Sequence, residues 1–264
     1  MCELLGMSAN VPTDICFSFT GLMQRGGKTG PHRDGWGIVF YEGRGCRAFH
    51  DPAPSADSEL AQLIHRHPIK SKTVISHIRQ ATHGRVCLEN THPFIRELWG
   101  RQWSFAHNGK LPGVKRRPLR FYQPVGTTDS EHAFCWLLGE IRARWERAPR
   151  RRRSLYRMLE ALSRQLAEHG TFNLLLSDSL ELFAFNSTKL HWLTRRAPFT
   201  AAQLIDSDLR VNFREETTPS DVVTVIATQP LTSVESWTPV ERGTLYRFSE
   251  GEVYRSLEQS PLTP

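Results

Sequence analysis

Cysteine at position 2 is the residue with the most distinctive chemistry. Removal of the initiator methionine, which is efficient before a small side chain, would leave Cys2 with a thiol and a free α-amino group on one carbon. An α-amino group has a pKa of about 7.7–8.0, so near neutral pH it can accept the thiol proton directly or through one water. Cys2 would then be a nucleophile that carries its own base. The alternative is a small apolar residue at the start of a strand.

Polar segments interrupt four stretches that otherwise have strand-like composition, where a purely structural sequence would be apolar. They are PHRDGWG at 31–37, SHIRQATHG at 76–84, FAHNG at 105–109 and GTTDSE at 126–131. Single residues in these segments have ordinary explanations too. Arg79 or Asp129 can belong to a surface ion pair, and Asn108-Gly109 is a pair typical of type I′ turns.

Histidines offer a competing chemistry. His77, His83, His92 and His107 fall within 31 residues, and clustered histidines can bind zinc. The sequence has no His-Glu-x-x-His motif, and histidines satisfied within a core or loop are commoner than ligands. We therefore predict no metal and no cofactor, and keep a metal-dependent hydrolase as an alternative.

The composition excludes several classes of protein. The chain has 264 residues, 39% hydrophobic and 23% charged, which suits one large domain or two small ones. No run approaches the ~18–20 apolar residues of a membrane span, and the N-terminus lacks the regions of a secretory signal. The five cysteines are scattered without a C-x-x-C spacing, which argues against a disulfide framework and a zinc ribbon. We expect a cytoplasmic protein with no membrane partner.

The apolar periodicity predicts an α+β protein whose early and late strands are separated by two helices. The predicted strands are 2–8, 36–41, 45–49, 73–79, 103–108, 172–176, 180–186, 189–194, 222–227 and 244–248. The predicted helices are 13–23, 58–67, 129–147 and 154–169. In this scheme Cys2 begins the first strand, and the strand 103–108 stops at Gly109.

A basic tract runs from Arg142 through Arg157, in a chain with a net charge of +7. Such a tract could contact nucleic-acid phosphates or an acidic partner. Glu140, Glu146 and Glu160 interrupt it, and no aromatic platform for base stacking accompanies it in the sequence. We favour a solvated helical face, with nucleic acid as a poor candidate for a partner.

Taken in order, Cys2 and the four polar segments resemble the class II glutamine amidotransferases of the N-terminal nucleophile hydrolase superfamily. The likeness is greatest to the small stand-alone bacterial members called YafJ-like. It covers nearly the whole chain, including residues 1–37, 89–94 and 222–231. The resemblance implies a four-layer αββα sandwich with Cys2 at the end of a central strand. It also implies a single domain over 1–264, with its core at about 2–250.

The resemblance assigns roles to matching positions. Cys2 would attack the γ-carboxamide carbon of glutamine or a γ-glutamyl compound, forming a γ-glutamyl thioester that water hydrolyses. Asn108 and Gly109 would form the oxyanion hole, the first through its side-chain amide and the second through its main-chain N–H. Arg79 would hold the substrate α-carboxylate and Asp129 its α-ammonium. Three further residues in motif positions are candidates for substrate contact: Thr82, His83 and His92.

The chain also departs from its synthase-coupled relatives. Those usually have Trp after the arginine of this motif, linked to ammonia channelling, whereas this chain has Gln80. A chain of this length is expected to lack a second synthase domain. Two functions then follow: a glutaminase-type subunit for a separate ammonia-accepting subunit, or a stand-alone hydrolase of γ-glutamyl amides. A catalytically silent scaffold with a basic docking face is a third alternative, and a homodimer is left open.

Overall fold

The protein, described here by a computed structural model over residues 2–81 and 84–262, is built of antiparallel strands with helices on both outer faces. The helices are α1 (Cys16–Arg25), α2 (Glu59–Arg66), α3 (Asp129–Arg144), α4 (Arg152–Ala167) and the short α5 (Phe213–Glu216). The strands are β1 (Glu3–Thr13), β2 (Trp36–Glu42), β3 (Gly45–Asp51), β4 (Ser71–Ile78), β5 (Phe94–Leu98), β6 (Arg101–Lys110), β7 (Thr171–Ser177), β8 (Leu182–Phe185), β9 (His191–Arg195), β10 (Ala201–Gln203), β11 (Arg210–Asn212), β12 (Val223–Ala227), β13 (Thr238–Pro239), β14 (Leu245–Ser249) and β15 (Glu252–Arg255).

Two large sheets form the centre of the protein. The first has seven strands in the order β13-β9-β12-β1-β4-β2-β3, so that β1 is central and pairs with β12 and β4. The second has six strands in the order β15-β14-β8-β7-β6-β5. A small separate pair joins β10 to β11. Because β1 is paired with a strand on each side, its register is fixed, and Cys2 is held directly before its first residue.

Three apolar clusters stack the layers. Phe19 of α1 and Ile64 of α2 pack with Leu5 of β1, which covers the outer face of the first sheet. The middle cluster, which includes Leu4 and Ala106, lies between the sheets.

The third cluster packs α3 and α4 against the outer face of the second sheet, and includes Phe134, Leu159 and Phe105. The layers therefore run helix, sheet, sheet, helix. This confirms the predicted α+β class and its four-layer αββα sandwich.

Strand alternation explains which side chains face the gap between the sheets. Leu4 faces the gap and Leu5 faces the helices, so Cys2 shares the inner face with Leu4. In β6, Ala106 faces the gap and Phe105 faces α3. Asn108 therefore points back toward the first sheet.

The structure corrects several predicted boundaries. The first helix begins at Cys16 rather than near Thr13, since β1 extends to Thr13. The strand predicted to stop at Gly109 continues to Lys110, and Asn108-Gly109 is paired with β7 instead of forming a turn. The prediction missed β5 entirely, together with the short strands β10, β11, β13 and β15.

The basic tract forms the end of α3, the following loop and the first turns of α4. Except for Arg152, which is half-buried and paired with Asp178 and Glu181, its arginines are exposed. Aromatic rings do accompany the tract: the Arg142 guanidinium lies 4.9 Å from the centre of the Phe121 ring. These two residues are far apart in the sequence, which is why the sequence analysis did not identify the contact. In the part of the chain that the structure describes, no helix is long and apolar enough to cross a bilayer.

Candidate active site

One edge of the first sheet brings four chain segments together. Because neighbouring strands are antiparallel, the starts of β1 and β2 and the ends of β4 and β12 lie at the same edge, with Glu3 opposite Ile78 and Leu5 opposite Ala227. This arrangement brings together the residues just beyond these strand ends, although they are far apart in sequence. They are Cys2, Arg79, Gln80 and Thr228.

The Cys2 thiol is held by the segment after β4. Its Sγ accepts a hydrogen bond from the Gln80 N–H at 3.3 Å and lies 3.6 Å from the Gln80 carbonyl oxygen. Burial raises the pKa of this thiol above its ordinary value, and the Gln80 N–H and the Arg79 charge offset part of that rise. A thiol in such surroundings needs a nearby base to become a thiolate.

Asn108 faces Cys2 from the opposite sheet and is only 1% exposed. Its Nδ2 lies 3.5 Å from Thr228 Oγ1, at the long end of hydrogen-bond distance, and Thr228 Oγ1 accepts the Leu4 N–H at 2.8 Å. Its Oδ1 has no hydrogen-bond partner among the described residues. The unpaired oxygen is an acceptor, whereas the donor capacity for a ligand lies in Nδ2, which carries two N–H groups and makes one long contact among the described residues.

Glycine is the residue type that fits position 109 of β6. Its φ is +155°, and a Cβ there would overlap the main-chain carbonyl of Thr171. The absence of a side chain lets β6 and β7 remain paired directly beside Asn108.

A cavity of about 230 Å³ lies between the two sheets beside the thiol. Its lining includes Cys2, Gln80, Asn108 and Thr228, as well as Glu3, Pro31, His32, Asn173, Thr188, Lys189 and Gln229. A nucleophile, a buried amide donor and several polar groups therefore share one enclosed space.

A second cavity, of about 590 Å³, is lined by Gly109 and by Asp129, the first residue of α3. The Asp129 carboxylate accepts the Leu111 N–H at 2.8 Å and the Ser130 N–H at 2.9 Å, which fixes its direction. Asn108 lines the first cavity and Gly109, the next residue of β6, lines the second, so each cavity reaches one residue of the predicted oxyanion hole.

Arg79 is 4% exposed and lines neither of these cavities. Its Nη1 donates to the main-chain oxygen of Arg85 at 3.1 Å. A Cβ built on Gly84, which lines the Asp129 cavity, would lie 3.6 Å from Arg79 Nη2. The guanidinium therefore sits directly behind that cavity wall.

The remaining predicted contacts have different outcomes. Thr82 and His83 lie outside the described residues. His92 is in the core, where its ring centre lies 4.3 Å from those of both His77 and Phe94 at tilted angles, and it lines neither cavity. Burial lowers the pKa of His92 well below its ordinary value. Contact between His92 and substrate stays a prediction, and the structure adds that the ring is only 3% exposed.

The histidine group has no metal-site geometry among residues 2–81 and 84–262: no three His, Cys, Asp or Glu side chains there are arranged to hold an ion. His107 instead lies within hydrogen-bond distance of Ser130 Oγ, at 2.9 Å, and of the Thr171 carbonyl oxygen, at 3.0 Å. It thereby ties α3 to the strand that carries Asn108.

Asn173 is a site residue that the sequence analysis missed. Its Nδ2 donates to the main-chain oxygen of Asn108 at 3.1 Å and to Thr188 Oγ1 at 2.8 Å, while its Oδ1 accepts the Ser187 and Thr188 N–H groups. One amide thus joins β6 to the loop that forms the far wall of the Cys2 cavity. A lone Asn inside the apolar run of β7 was the available signal.

Glu3 is a second missed residue. Its side chain is buried and receives Arg25 Nη1 at 3.2 Å and Gln229 Nε2 at 3.1 Å. Burial raises the pKa of Glu3, and the Arg25 guanidinium opposes that rise. This arrangement anchors the first residue of β1 beside the nucleophile.

Cavity size is a poor guide to the site in this fold. A larger cavity of about 790 Å³ lies at the far end of β1, near Ser8, Tyr41 and Lys70. It contains no cysteine and no buried amide aimed at a nucleophile. The chemistry therefore assigns the active site to the smaller space beside Cys2.

The family model of the class II glutamine amidotransferases matches residues 1–263, and the chain belongs to that family. The fold and the position of Cys2 agree with this membership.

Among individual relatives, YafJ of Escherichia coli strain K12, which is assigned as a glutamine amidotransferase, is 58% identical over 252 residues, covering 96% of this chain and 99% of that protein. A 2.0 Å crystal structure of a Pseudomonas aeruginosa PA01 protein with the same assignment is 56% identical, with a TM-score of 0.77 and coverage of 96% of this chain and 99% of that one. Glutamine phosphoribosylpyrophosphate amidotransferase from B. subtilis shares the fold at 16% identity, with a TM-score of 0.58, over 98% of this chain and 50% of that chain.

Proposed function

We propose that this protein is an amidohydrolase in which the Cys2 thiol cleaves the γ-amide bond of glutamine or a γ-glutamyl compound. The observation that carries the proposal is the position of the thiol, fixed by the Gln80 N–H at 3.3 Å in a cavity that it shares with the buried Asn108 amide. Family membership supports action on a glutamine amide. The hydrolytic outcome and the residue roles are our inference.

The reaction proceeds through a thioester. After removal of Met1, the α-amino group of Cys2 accepts the thiol proton, and Sγ attacks the γ-carboxamide carbon. The C–N bond then breaks as the same amino group returns the proton to the departing nitrogen, which leaves as ammonia or an amine. Water attacks the resulting γ-glutamyl thioester, releasing glutamate and regenerating the thiol. The raised pKa of the thiol makes this internal base necessary.

The oxyanion formed in each step lies between the Asn108 side-chain amide and the Gly109 N–H. A buried Nδ2 donor whose contact to Thr228 is long, and an adjacent residue without a side chain, support this assignment. Fixed donors aimed at developing charge typically contribute a factor of about 10²–10³ each to the rate.

The substrate head occupies the larger cavity beside Asp129. The Asp129 carboxylate binds the α-ammonium, and Arg79, directly behind Gly84, binds the α-carboxylate. Arg79 would exchange its present contact with the Arg85 carbonyl for the substrate. We propose Thr82 and His83 as further substrate contacts, as the family motif implies.

We further propose that the enzyme works in a reducing, cytoplasmic compartment. All five cysteines, including Cys2, are unpaired, which suits a reducing environment. A separate ammonia-accepting subunit and a homodimer both remain compatible with the proposal.

An electrophilic glutamine analogue, such as a diazo-ketone, tests the proposal directly. Intact-mass measurement should show Met1 absent and one equivalent of label, which peptide mapping assigns to Cys2. Cys2→Ala should neither take up label nor release ammonia from glutamine or any γ-glutamyl amide. Cys46→Ala, a matched control on β3, should behave like wild type.

Other outcomes would overturn the proposal. Labelling at Cys46 or Cys87, or no labelling of Met1-processed protein, would remove Cys2 as the nucleophile. Loss of ammonia release on adding a chelator would favour a metal-dependent hydrolase. Absence of hydrolysis across a panel of γ-glutamyl amides would favour a silent scaffold.

A further inference from the structure

The cavity beside Cys2 is larger than ammonia requires. Ammonia is about the size of a water molecule, whose share of liquid volume is about 30 Å³, whereas this cavity has about 230 Å³. A site that released only ammonia into a channel would not need several polar side chains around that space. The cavity is therefore of a size to hold a substituent on the departing nitrogen.

The geometry of an amide determines which part of the substrate enters this cavity. A carboxamide carbon carries an oxygen, a carbon chain and a nitrogen in one plane. If the oxygen lies at Asn108 and Gly109, and the chain leads to Asp129 in the larger cavity, the nitrogen points to the remaining side of Cys2. The space left for it is the cavity beside Cys2, whose lining includes Gln80, Thr188 and Lys189.

The charges around this space are unequal. Glu3 is compensated by Arg25, at 3.2 Å, and its other carboxylate oxygen accepts from Gln229. Lys189 is exposed and, among the described residues, has no carboxylate within ion-pair distance. Its N–H donates to Asn173 Oδ1 at 3.4 Å, and the residue lines the cavity. A cation without an acidic partner among the described residues thus lines the cavity beside the thiol.

We propose that this cavity is a leaving-group subsite for γ-glutamyl amides whose amine portion carries a carboxylate, with Lys189 recognising that carboxylate. The substrate class is then a γ-glutamyl amino acid or short γ-glutamyl peptide, rather than free glutamine. Cleavage forms the Cys2 thioester and releases the amino acid with its amine protonated by the α-amino group of Cys2. Water then yields glutamate. This inference rests on the proposed function above.

Three substrates separate the contribution of the terminal carboxylate from that of the rest of the leaving group. They are γ-glutamylglycine, γ-glutamylglycinamide and glutamine. The first two differ only in the terminal carboxylate. Wild type should show a kcat/KM about two- to fivefold higher for γ-glutamylglycine than for the glycinamide, as expected for a partly exposed charge contact. Lys189→Gln should bring that ratio close to one, and Lys189→Arg should restore most of it.

Lys70→Gln is the matched control, since Lys70 is also exposed but lies near the other end of the sandwich. It should keep the wild-type ratio, which excludes an effect of net charge. Equal turnover of the two glycine substrates by wild type, or an unchanged ratio in Lys189→Gln, would overturn the subsite while leaving the Cys2 mechanism intact. Activity that survives Cys2→Ala, or no turnover of any of the three, would overturn the proposed function itself.

Discussion

The side-chain amide of Asn173 is hydrogen-bonded to the main-chain oxygen of Asn108, with 3.1 Å between Nδ2 and O. The two residues face each other in the register of β6 and β7. Since the same amide also holds the loop at Ser187 and Thr188, the oxyanion strand and the far wall of the Cys2 cavity are positioned by one group.

Asn173→Asp should therefore reduce both stability and catalysis. The carboxylate is nearly isosteric but cannot donate to the Asn108 oxygen, and it places a buried charge against that carbonyl. We expect a loss of about 1–3 kcal/mol in the free energy of unfolding and at least a tenfold loss in kcat. Urea denaturation and steady-state kinetics measure the two effects.

Asn10→Asp is the matched control for that variant. Asn10 makes a similar double contact, donating to the Ser220 oxygen and accepting the Val222 N–H, but at the far end of β1. It should lose stability without loss of kcat once folded. A wild-type kcat in Asn173→Asp would show that the amide does not position the oxyanion strand.

A pair of glycine substitutions separates a required glycine from a dispensable one. In Gly109→Ala the new Cβ would overlap the Thr171 carbonyl, so β6 and β7 must separate beside Asn108. We expect activity to fall by about a hundredfold or more, as when an oxyanion donor is displaced. Gly139→Ala, within α3 and with open space at the Cβ position, should raise the free energy of unfolding by about 0.5–1 kcal/mol and leave kcat unchanged. Equal kcat in both variants would contradict this prediction.

Much of this site was predictable because its signals are local. Three signals can each be recognised in a short window of sequence. They are a cysteine at position 2, the polar segments within strand-like stretches, and the helix start at Asp129. The four-layer fold followed from a resemblance over the whole chain. Antiparallel pairing then brings the strand ends together.

The missed features depend on long-range register. Asn173 acts on Asn108, 65 positions away, and Glu3 receives Gln229 across 226 positions. Asn108-Gly109 has the composition of a turn, but pairing with β7 keeps it in a strand. His92 lies in a motif next to candidate contacts, yet tertiary packing places it against His77. Local pattern cannot supply these pairings.

The buried histidines should make the protein less stable in mild acid. Burial lowers the pKa of His77 to about 3, from an ordinary value of 6.5, and lowers the pKa values of His92 and His107 as well. Between about pH 6.5 and 3 the unfolded chain therefore binds more protons than the folded chain. The contribution of these neutral rings to the free energy of unfolding is fully present above about pH 6.5, and it is lost as the pH falls through that window.

Urea denaturation at a series of pH values measures this effect. His77 contributes up to about 1.4 kcal/mol per pH unit between pH 6.5 and 3. His77→Gln should lower the slope of unfolding free energy against pH, whereas the same substitution at the exposed His67 should not. A slope that is the same in His77→Gln and wild type would mean that His77 is not neutral in the folded protein.

Asp129→Asn tests whether the Asp129 carboxylate binds the α-ammonium of the substrate. The variant keeps an oxygen that can accept the Leu111 N–H, so most of the local structure should survive. Glutamine is compared with its analogue that lacks the α-amino group. Wild type should prefer glutamine, and the variant should lose about 10–100-fold of that preference in kcat/KM, the factor for a lost charged hydrogen bond.

Thr128→Ala provides the structural control for Asp129. Thr128 caps α3 by accepting the Glu131 N–H at 3.1 Å, so its loss should cost about 1 kcal/mol of stability at the same helix start. Because Thr128 carries no charge, the preference for glutamine over the deaminated analogue should persist. Thr128→Ala is expected to change the turnover of both substrates by the same factor. If Asp129→Asn did the same, the carboxylate would act only by holding the helix start and Leu111. Another group would then bind the substrate ammonium.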